Sequence, residues 1–269
     1  MQKKLSVVVA TFVLLGLSAC SLFPEKTDET KSWPVTKLYA EAREEMDGGH
    51  YEAAIKLFER LETNYPFGTY AVQAQMEIAY AYYKSQDQAQ ALAAVERFIK
   101  AHPDHPAVDY MYYLRGLINF NDQIGFLSVI YTQDPTERDP KATREAFTAF
   151  KALVDKFPDS VYAADSIARM KYLVNAMAQY EVHVANYYYR RGAYLASLNR
   201  AMGAVADYQD APAREEALYM MMRNYEKLGM LDLRDDTQRV FAKNYPGSKF
   251  TNPNLEKGKW WKFWSQSGR

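Results

Sequence analysis

The chain has 269 residues, with 33 basic and 33 acidic side chains and no net charge when the histidines are neutral. That balance leaves no electrostatic case for nucleic acid, which needs a basic face. One cysteine excludes an internal disulfide framework, and scarce glycine beside plentiful Ala, Leu, Glu, Lys, Arg, Gln and Met favours helix throughout.

The N-terminus reads as a secretion signal. Lys3 and Lys4 give a short positive start, the 13 residues from Leu5 to Leu17 are mostly apolar, and small residues follow. That run falls well short of the ~20 residues a membrane-spanning helix needs, so residues 1–19 are expected to be removed. Leu17-Ser18-Ala19-Cys20 resembles the lipobox of bacterial lipoproteins, in which the thiol takes a diacylglycerol and the new N-terminus an acyl chain. Cys20 is thus the expected lipidation site, and that lipid is the only non-protein group expected, with no other cofactor and no metal. Ser21, rather than aspartate, follows the cysteine; by resemblance to the sorting rule of enteric lipoproteins this favours the periplasmic face of the outer membrane. Removing the signal takes away Lys3 and Lys4 and no acid, leaving 31 basic and 33 acidic side chains and a net charge of −2. The remaining chain is long enough to bury a real core.

Residues 20–35 are polar and proline-punctuated, and are expected to form a lipidated flexible tether. Beyond it the chain repeats. Pro66, Pro103, Pro158 and Pro246 are each preceded by an aromatic residue or histidine: Tyr65, His102, Phe157 and Tyr245. Five positions before each proline stand Leu61, Phe98, Leu153 and Phe241. Eight before stand Phe58, Val95, Phe150 and, out of pattern, Gln238. Twelve before stand Ala54, Ala91, Ala146 and, again out of pattern, Arg234. Steps of four and three place these residues on one helical face, and proline ends the helix. A fifth copy has Gln209 in the proline's place, with Tyr208, Ala204, Ala201 and Ser197 at the corresponding positions. Seventeen before each marker the inter-helix turn is expected, at Gly49, Gln86, Lys141, Gly192 and Gly229.

This pattern resembles the tetratricopeptide repeat (TPR), an antiparallel helix pair of about 34 residues. The expected fold is all-α: a TPR solenoid of about five helix-turn-helix units, whose first helices line a concave face. Marker spacings of 37, 55, 51 and 37 residues locate two insertions. One is residues 121–140, between the two helices of the third unit. The other lengthens the first helix of the fourth, over 161–190.

Catalytic motifs are missing: no phosphate-binding glycine loop, no HExxH and no GxSxG occurs. His102 and His105 flank helix-breaking prolines and read as turn residues. His50 reads as a turn residue and His183 as a packed helix position. No enzyme is expected. A helical-solenoid enzyme such as a lytic transglycosylase would need a separate compact domain with a catalytic glutamate, and the five repeats leave no room for one.

A binding scaffold remains. The first helices offer Tyr80, Tyr82 and Tyr83 in the second unit and Asp109, Tyr110, Tyr113 and Arg115 in the third. Tyrosine gives rigid amphipathic surface at low entropic cost. At helical spacing, two of the three tyrosines in the second unit can point outward together.

The segments Tyr65-Pro-Phe-Gly-Thr-Tyr70, Tyr80-Ala-Tyr-Tyr-Lys84, Arg97-Phe-Ile-Lys100, Arg115-Gly-Leu117, Arg138-Asp-Pro140, Arg191-Gly-Ala193 and Asn199-Arg200, with His105-Pro, Asp109-Tyr110 and Tyr187-Tyr188, go further. Together they resemble the BamD (ComL) family, lipoproteins of the outer-membrane β-barrel assembly (BAM) machinery, from the lipobox to about residue 245. The resemblance implies a non-enzymatic subunit, lipid-anchored to the outer membrane, that binds the barrel-shaped assembly protein BamA and a smaller lipoprotein of the complex. It also implies that the subunit receives unfolded outer-membrane proteins. Repeats one to three, residues 36–160, would recognise the C-terminal strand of those substrates in a groove around Tyr65, Phe67, Tyr80 and Tyr82, with Tyr110 and Arg115 beyond. Repeats four and five, residues 161–250, would dock the partners. Arg200 matches the family arginine that pairs with an acidic residue of BamA, and Arg191 is a second candidate.

Residues 251–269 are expected to form a tail, in which residues 257–264 depart from the family. Lys257-Gly-Lys-Trp-Trp-Lys-Phe-Trp264 is aromatic and basic. It is read as a cap on the last repeat through Trp260, Trp261 and Trp264, in preference to a membrane-interface segment. The competing function is a TPR lipoprotein scaffold for cell-envelope and peptidoglycan maintenance.

Overall fold

A computed structural model describes residues 29–121 and 140–251. The signal, Cys20, most of the tether, the insertion after Asn121, Arg138 and the Trp-rich tail lie outside the described residues. Among the described residues the secondary structure is helical, without a strand.

The chain divides into two compact units, residues 1–74 and 75–269. In the first, α1 (Val35–Asp47) and α2 (Tyr51–Asn64) form an antiparallel pair, followed by the start of α3 (Thr69–Lys84). The pair closes on Leu38, Ala42, Ala54, Phe58 and Leu61, all removed from water. Here the end of the expected tether is folded. Residues Glu29–Ser32 make a 3-10 turn, Arg60 bonds the Thr30 hydroxyl, and Tyr65 donates its hydroxyl to the Trp33 carbonyl at 2.9 Å. The Lys37 ammonium sits 3.9 Å from the Trp33 ring centroid.

The second unit holds the rest of α3, then α4 (Gln88–Ala101), α5 (Val108–Asn121), α6 (Pro140–Lys156), α7 (Ala163–Arg190), α8 (Tyr194–Asp207), α9 (Arg214–Lys227) and α10 (Leu231–Asn244). Consecutive helices from α4 to α10 pack on one another, and α7 also meets α9.

Among the described residues the five second helices end at Asn64, Ala101, Lys156, Asp207 and Asn244, each two residues before its marker. The residue between has left helical geometry: Tyr65 (φ −135, ψ 69), His102 (−133, 59), Tyr208 (−127, 59) and Tyr245 (−132, 62). Proline drives its predecessor out of the α region. The backbone N–H groups of Tyr65, His102, Phe157 and Tyr245 still close the last turn onto Leu61, Phe98, Leu153 and Phe241, at 2.7–2.8 Å. Repeat four shows that the proline is dispensable: with Gln209 behind it, Tyr208 takes the same conformation and its carbonyl accepts the Ala211 N–H at 3.1 Å.

The face read from the sequence is the core. Residues five, eight and twelve before the marker are buried in the first four repeats. Ser197, at an alanine's place in repeat four, is matched by buried Asn224 of α9, whose amide donates to the Ser197 hydroxyl and the Met220 carbonyl, both at 2.8 Å. The inter-helix turns at Gly49, Gly192 and Gly229 have φ of 79, 76 and 72°, and Gln86 adopts φ 65° in the same place. Only glycine takes that conformation without steric cost. Lys141 differs from expectation: it is the second residue of α6 and fully helical, because the insertion, not this residue, connects the third pair.

Candidate functional site

The tyrosines of the first helices form two aromatic groups in the second unit. Tyr80 and Tyr83 lie one turn apart on α3, with ring centroids 6.2 Å apart. On α5, Tyr110 and Tyr113 are likewise one turn apart, and Tyr162, from the loop before α7, meets both. Its ring is 5.7 Å from Tyr110 and stacks on Tyr113 at 4.8 Å with 15° between planes. The Tyr110 phenol is held well above its ordinary pKa, first by burial and then by Tyr80, Glu77, Tyr162 and Tyr83.

Fixed charge borders this surface. Tyr113 donates to the Asp165 carboxylate at 2.7 Å, and the Arg169 guanidinium reaches the same oxygen at 2.5 Å. Burial works against the charged Asp165, but the hydrogen bonds from Arg169 and Tyr113 outweigh it and hold its carboxyl below the usual range. Arg169 also covers the Phe120 and Phe150 rings at 4.9 and 5.9 Å. The Ser160 hydroxyl donates to Asp109 at 2.7 Å, fastening the Tyr162 loop to α5. These bonds preset the rings, so a ligand loses less rotamer freedom when it binds.

Of the residues singled out from the sequence, Tyr80, Tyr83, Tyr110 and Tyr113 belong to this surface. Tyr82 stands two residues, about 200°, round α3 from Tyr80. Arg115 turns to Glu96 of α4 at 2.9 Å and to the Tyr112 ring at 4.7 Å, with 21% of its side chain exposed. Tyr65 and Phe67 lie in the first unit: Tyr65 is engaged with Trp33, whereas Phe67, beside Gly68 at φ +100°, is 91% exposed. Tyr162 and the Asp165–Arg169 pair were not singled out. Their one signal is Ser160-x-Tyr162 in the inter-repeat turn, which resembles nothing catalytic and follows no helical spacing.

The docking candidates sit on the fourth repeat. Arg200 of α8 donates to Glu181 of α7 at 3.1 Å; its side chain is 46% exposed, that of Glu181 14%. A guanidinium carries five N–H donors in a rigid fork, so this contact leaves an outward edge for a second carboxylate. Arg191 is exposed and lies 5.1 Å over the Tyr187 ring. The histidines are engaged locally. His102 pairs with Gln75 at 2.9 Å, His105 accepts the Ala107 N–H at 3.1 Å, and His50 pairs with Glu45 at 2.8 Å. Among the described residues no group of three or more His, Cys, Asp or Glu side chains could hold a metal ion.

A family model described as "Outer membrane lipoprotein" (YfiO) matches residues 31–241. A Neisseria meningitidis protein named "Outer membrane protein assembly factor BamD" is 45% identical over 255 residues, covering 93% of this chain and 96% of its own. Proteins of the same name from Xylella fastidiosa and Vibrio cholerae are 37% and 35% identical, over 96% and 89% of this chain and 86% and 97% of theirs. Among solved structures, the TPR-like repeats of a kinesin light chain from Podosopora anserina cover 79% of this chain at 13% identity and a TM-score of 0.38, too low to carry an argument.

Proposed function

The chain belongs to the YfiO family of outer-membrane lipoproteins, and from that premise we propose that it is a non-enzymatic subunit of the outer-membrane β-barrel assembly machinery. The observation that carries this reading is the end-to-end match to relatives named as assembly factors, at up to 45% identity. Its work is binding: the aromatic first-helix surface receives unfolded barrel proteins, and the fourth repeat docks a BamA-type partner and a smaller lipoprotein.

Physical chemistry supports the division of labour. An unfolded barrel strand alternates apolar and polar side chains. Rings at Tyr80, Tyr83, Tyr110, Tyr113 and Tyr162 can cover its apolar side chains while their hydroxyls meet its backbone. Arg200, half-exposed on its Glu181 support, can make a directional, bidentate contact with a partner carboxylate. No described helix is long and apolar enough to cross a membrane. In this reading the lipid on Cys20 supplies the attachment, holding the chain on the periplasmic face of the outer membrane; two or three acyl chains anchor firmly where one does not.

The test is a mild-detergent pull-down of C-terminally tagged chain from outer membranes, with and without Arg200→Glu. Recovery of a large barrel protein with periplasmic repeats, lost in the variant, is expected. Recovery of murein-linked proteins alone would overturn the assembly role.

A further inference from the structure

Among the described methionines, Met202 on α8 and Met230, just after α9, stand open to solvent, at 44% and 42% exposure. They differ in one contact. The hydroxyl of Tyr225, an α9 residue with 7% of its surface exposed, is directed at the Met202 sulfur, with Oη and Sδ 3.9 Å apart. Among the described residues that sulfur is the one acceptor the hydroxyl has.

This pairing is poor for the tyrosine. A thioether sulfur accepts hydrogen bonds weakly, whereas a tyrosine buried to this degree usually has a proper partner for its hydroxyl. An O–H···O bond closes at about 2.7–2.8 Å, so the longer contact leaves room for an oxygen atom between the two groups. The sulfur is also within reach of a small oxidant. Leu195, two turns earlier on the same side of α8, is exposed as well, and the oxidant meets Met202 without crossing the core.

We propose that Met202 is an oxidation site for hydroperoxides, and that the Tyr225 hydroxyl receives the product by donating to the sulfoxide oxygen. The sulfur lone pair attacks one peroxide oxygen, the O–O bond breaks, and the proton passes to the departing oxygen. Methionine sulfoxide and water, or an alcohol, result; sulfur loses the two electrons that the peroxide gains. The unbranched side chain has three rotatable bonds, which let the new oxygen turn toward Tyr225. Sulfoxide formation ordinarily disrupts packing, because it makes an apolar side chain polar. Here it replaces a weak acceptor by a strong one, and the α8–α9 contact survives it.

The test uses the full-length mature chain with Cys20→Ser, which removes its one thiol, treated with hydrogen peroxide and digested with trypsin. Peptides 201–214, 228–234 and 101–115 each carry one methionine: Met202, Met230 and the buried Met111. The first two should gain one oxygen roughly tenfold faster than the third, following exposure. With Met230→Leu added and Met202 fully converted, oxidation should move the melting temperature upward relative to its effect on Tyr225→Phe, by about 2–4 °C. Met202→Gln, whose carbonyl can stand in for the sulfoxide oxygen, should melt above Met202→Leu, which has no acceptor; this comparison decides the matter if Tyr225→Phe does not fold. A purely apolar contact predicts the reverse order. Protection of Met202 at the level of Met111 would overturn the proposal. So would the same shift on oxidation with and without the Tyr225 hydroxyl, or Met202→Leu melting at or above Met202→Gln.

Discussion

At the scale of single residues, glycine and tyrosine carry the most instructive constraints. Gly116 is buried on α5, and a Cβ there would stand 2.4 Å from two carbons of the buried Phe150 ring. Gly203, inside α8, has nothing within 4 Å of the same position. Gly116→Ala should therefore lower stability by about 1–3 kcal/mol through overpacking, while Gly203→Ala should be neutral or gain up to ~1 kcal/mol of helix propensity. Urea midpoints of the two variants decide the matter; equal midpoints would contradict the packing account. Tyr110 gives a pH signature. Its folded-state pKa is raised, so the stability it contributes is complete below the unfolded phenol value of about 10 and is lost as pH rises above it. Tyr110→Phe should flatten the fall in melting temperature above pH 10 and leave the neutral range unchanged. An unaltered alkaline limb in the variant would show that Tyr110 is not the group responsible. The site itself was only partly legible. Tyr82 and Tyr83 are adjacent in sequence, but Tyr83 lies one turn from Tyr80 and Tyr82 about 200° round α3; spacing alone pairs Tyr83 with Tyr80, and Tyr82 entered the expected groove only through the family resemblance. Tyr162 was missed because it sits in a turn, where no periodicity marks its direction.

At the scale of elements, the second helices were readable because two independent signals coincide on them: a 4-and-3 spacing of small and large apolar residues, and an aromatic-proline end. The first helices carry no such punctuation, yet α7 falls within the lengthened 161–190 stretch because no proline or glycine interrupts it until Gly192. Lys141 was misplaced because a fixed offset cannot see an insertion that takes over the turn. α10 resembles the other second helices at its buried Phe241 but differs four, eight and eleven positions before the marker. Earlier repeats have mostly apolar residues there, such as Ile99, Val95 and Leu92. In α10 these are Ala242, Gln238 and Asp235, all exposed. A terminal repeat needs a polar outer face or a cap, and α10 still leaves Leu231, Leu233 and Val240 45–50% exposed. Truncation after Thr251 tests the capping role expected of Trp260, Trp261 and Trp264. A drop in melting temperature of more than about 5 °C, on the order of 1–2 kcal/mol for a chain of this size, is expected; an unchanged melting temperature would contradict the cap.

At the scale of the whole molecule, charge and surface sort the functions. A chain with 33 basic and 33 acidic side chains has no uniform field to steer a partner. In the function proposed here recognition is local, at the aromatic residues bordered by Asp165 and Arg169 and at Arg200 on Glu181. Sequence patterns could announce a repeat scaffold, but not what it binds, because TPR packing consumes many tyrosines in plain structural roles, as Tyr65 on Trp33 illustrates. The most direct test of the central claim places a photocrosslinking phenylalanine analogue at Tyr80, on the aromatic surface, or at Arg97, exposed on second helix α4. Each full-length variant, assembled in its complex, is then challenged with an unfolded outer-membrane barrel protein. Crosslinks to the barrel protein at position 80 and not at position 97 are predicted; none at 80, or equal yields at both positions, would contradict the account.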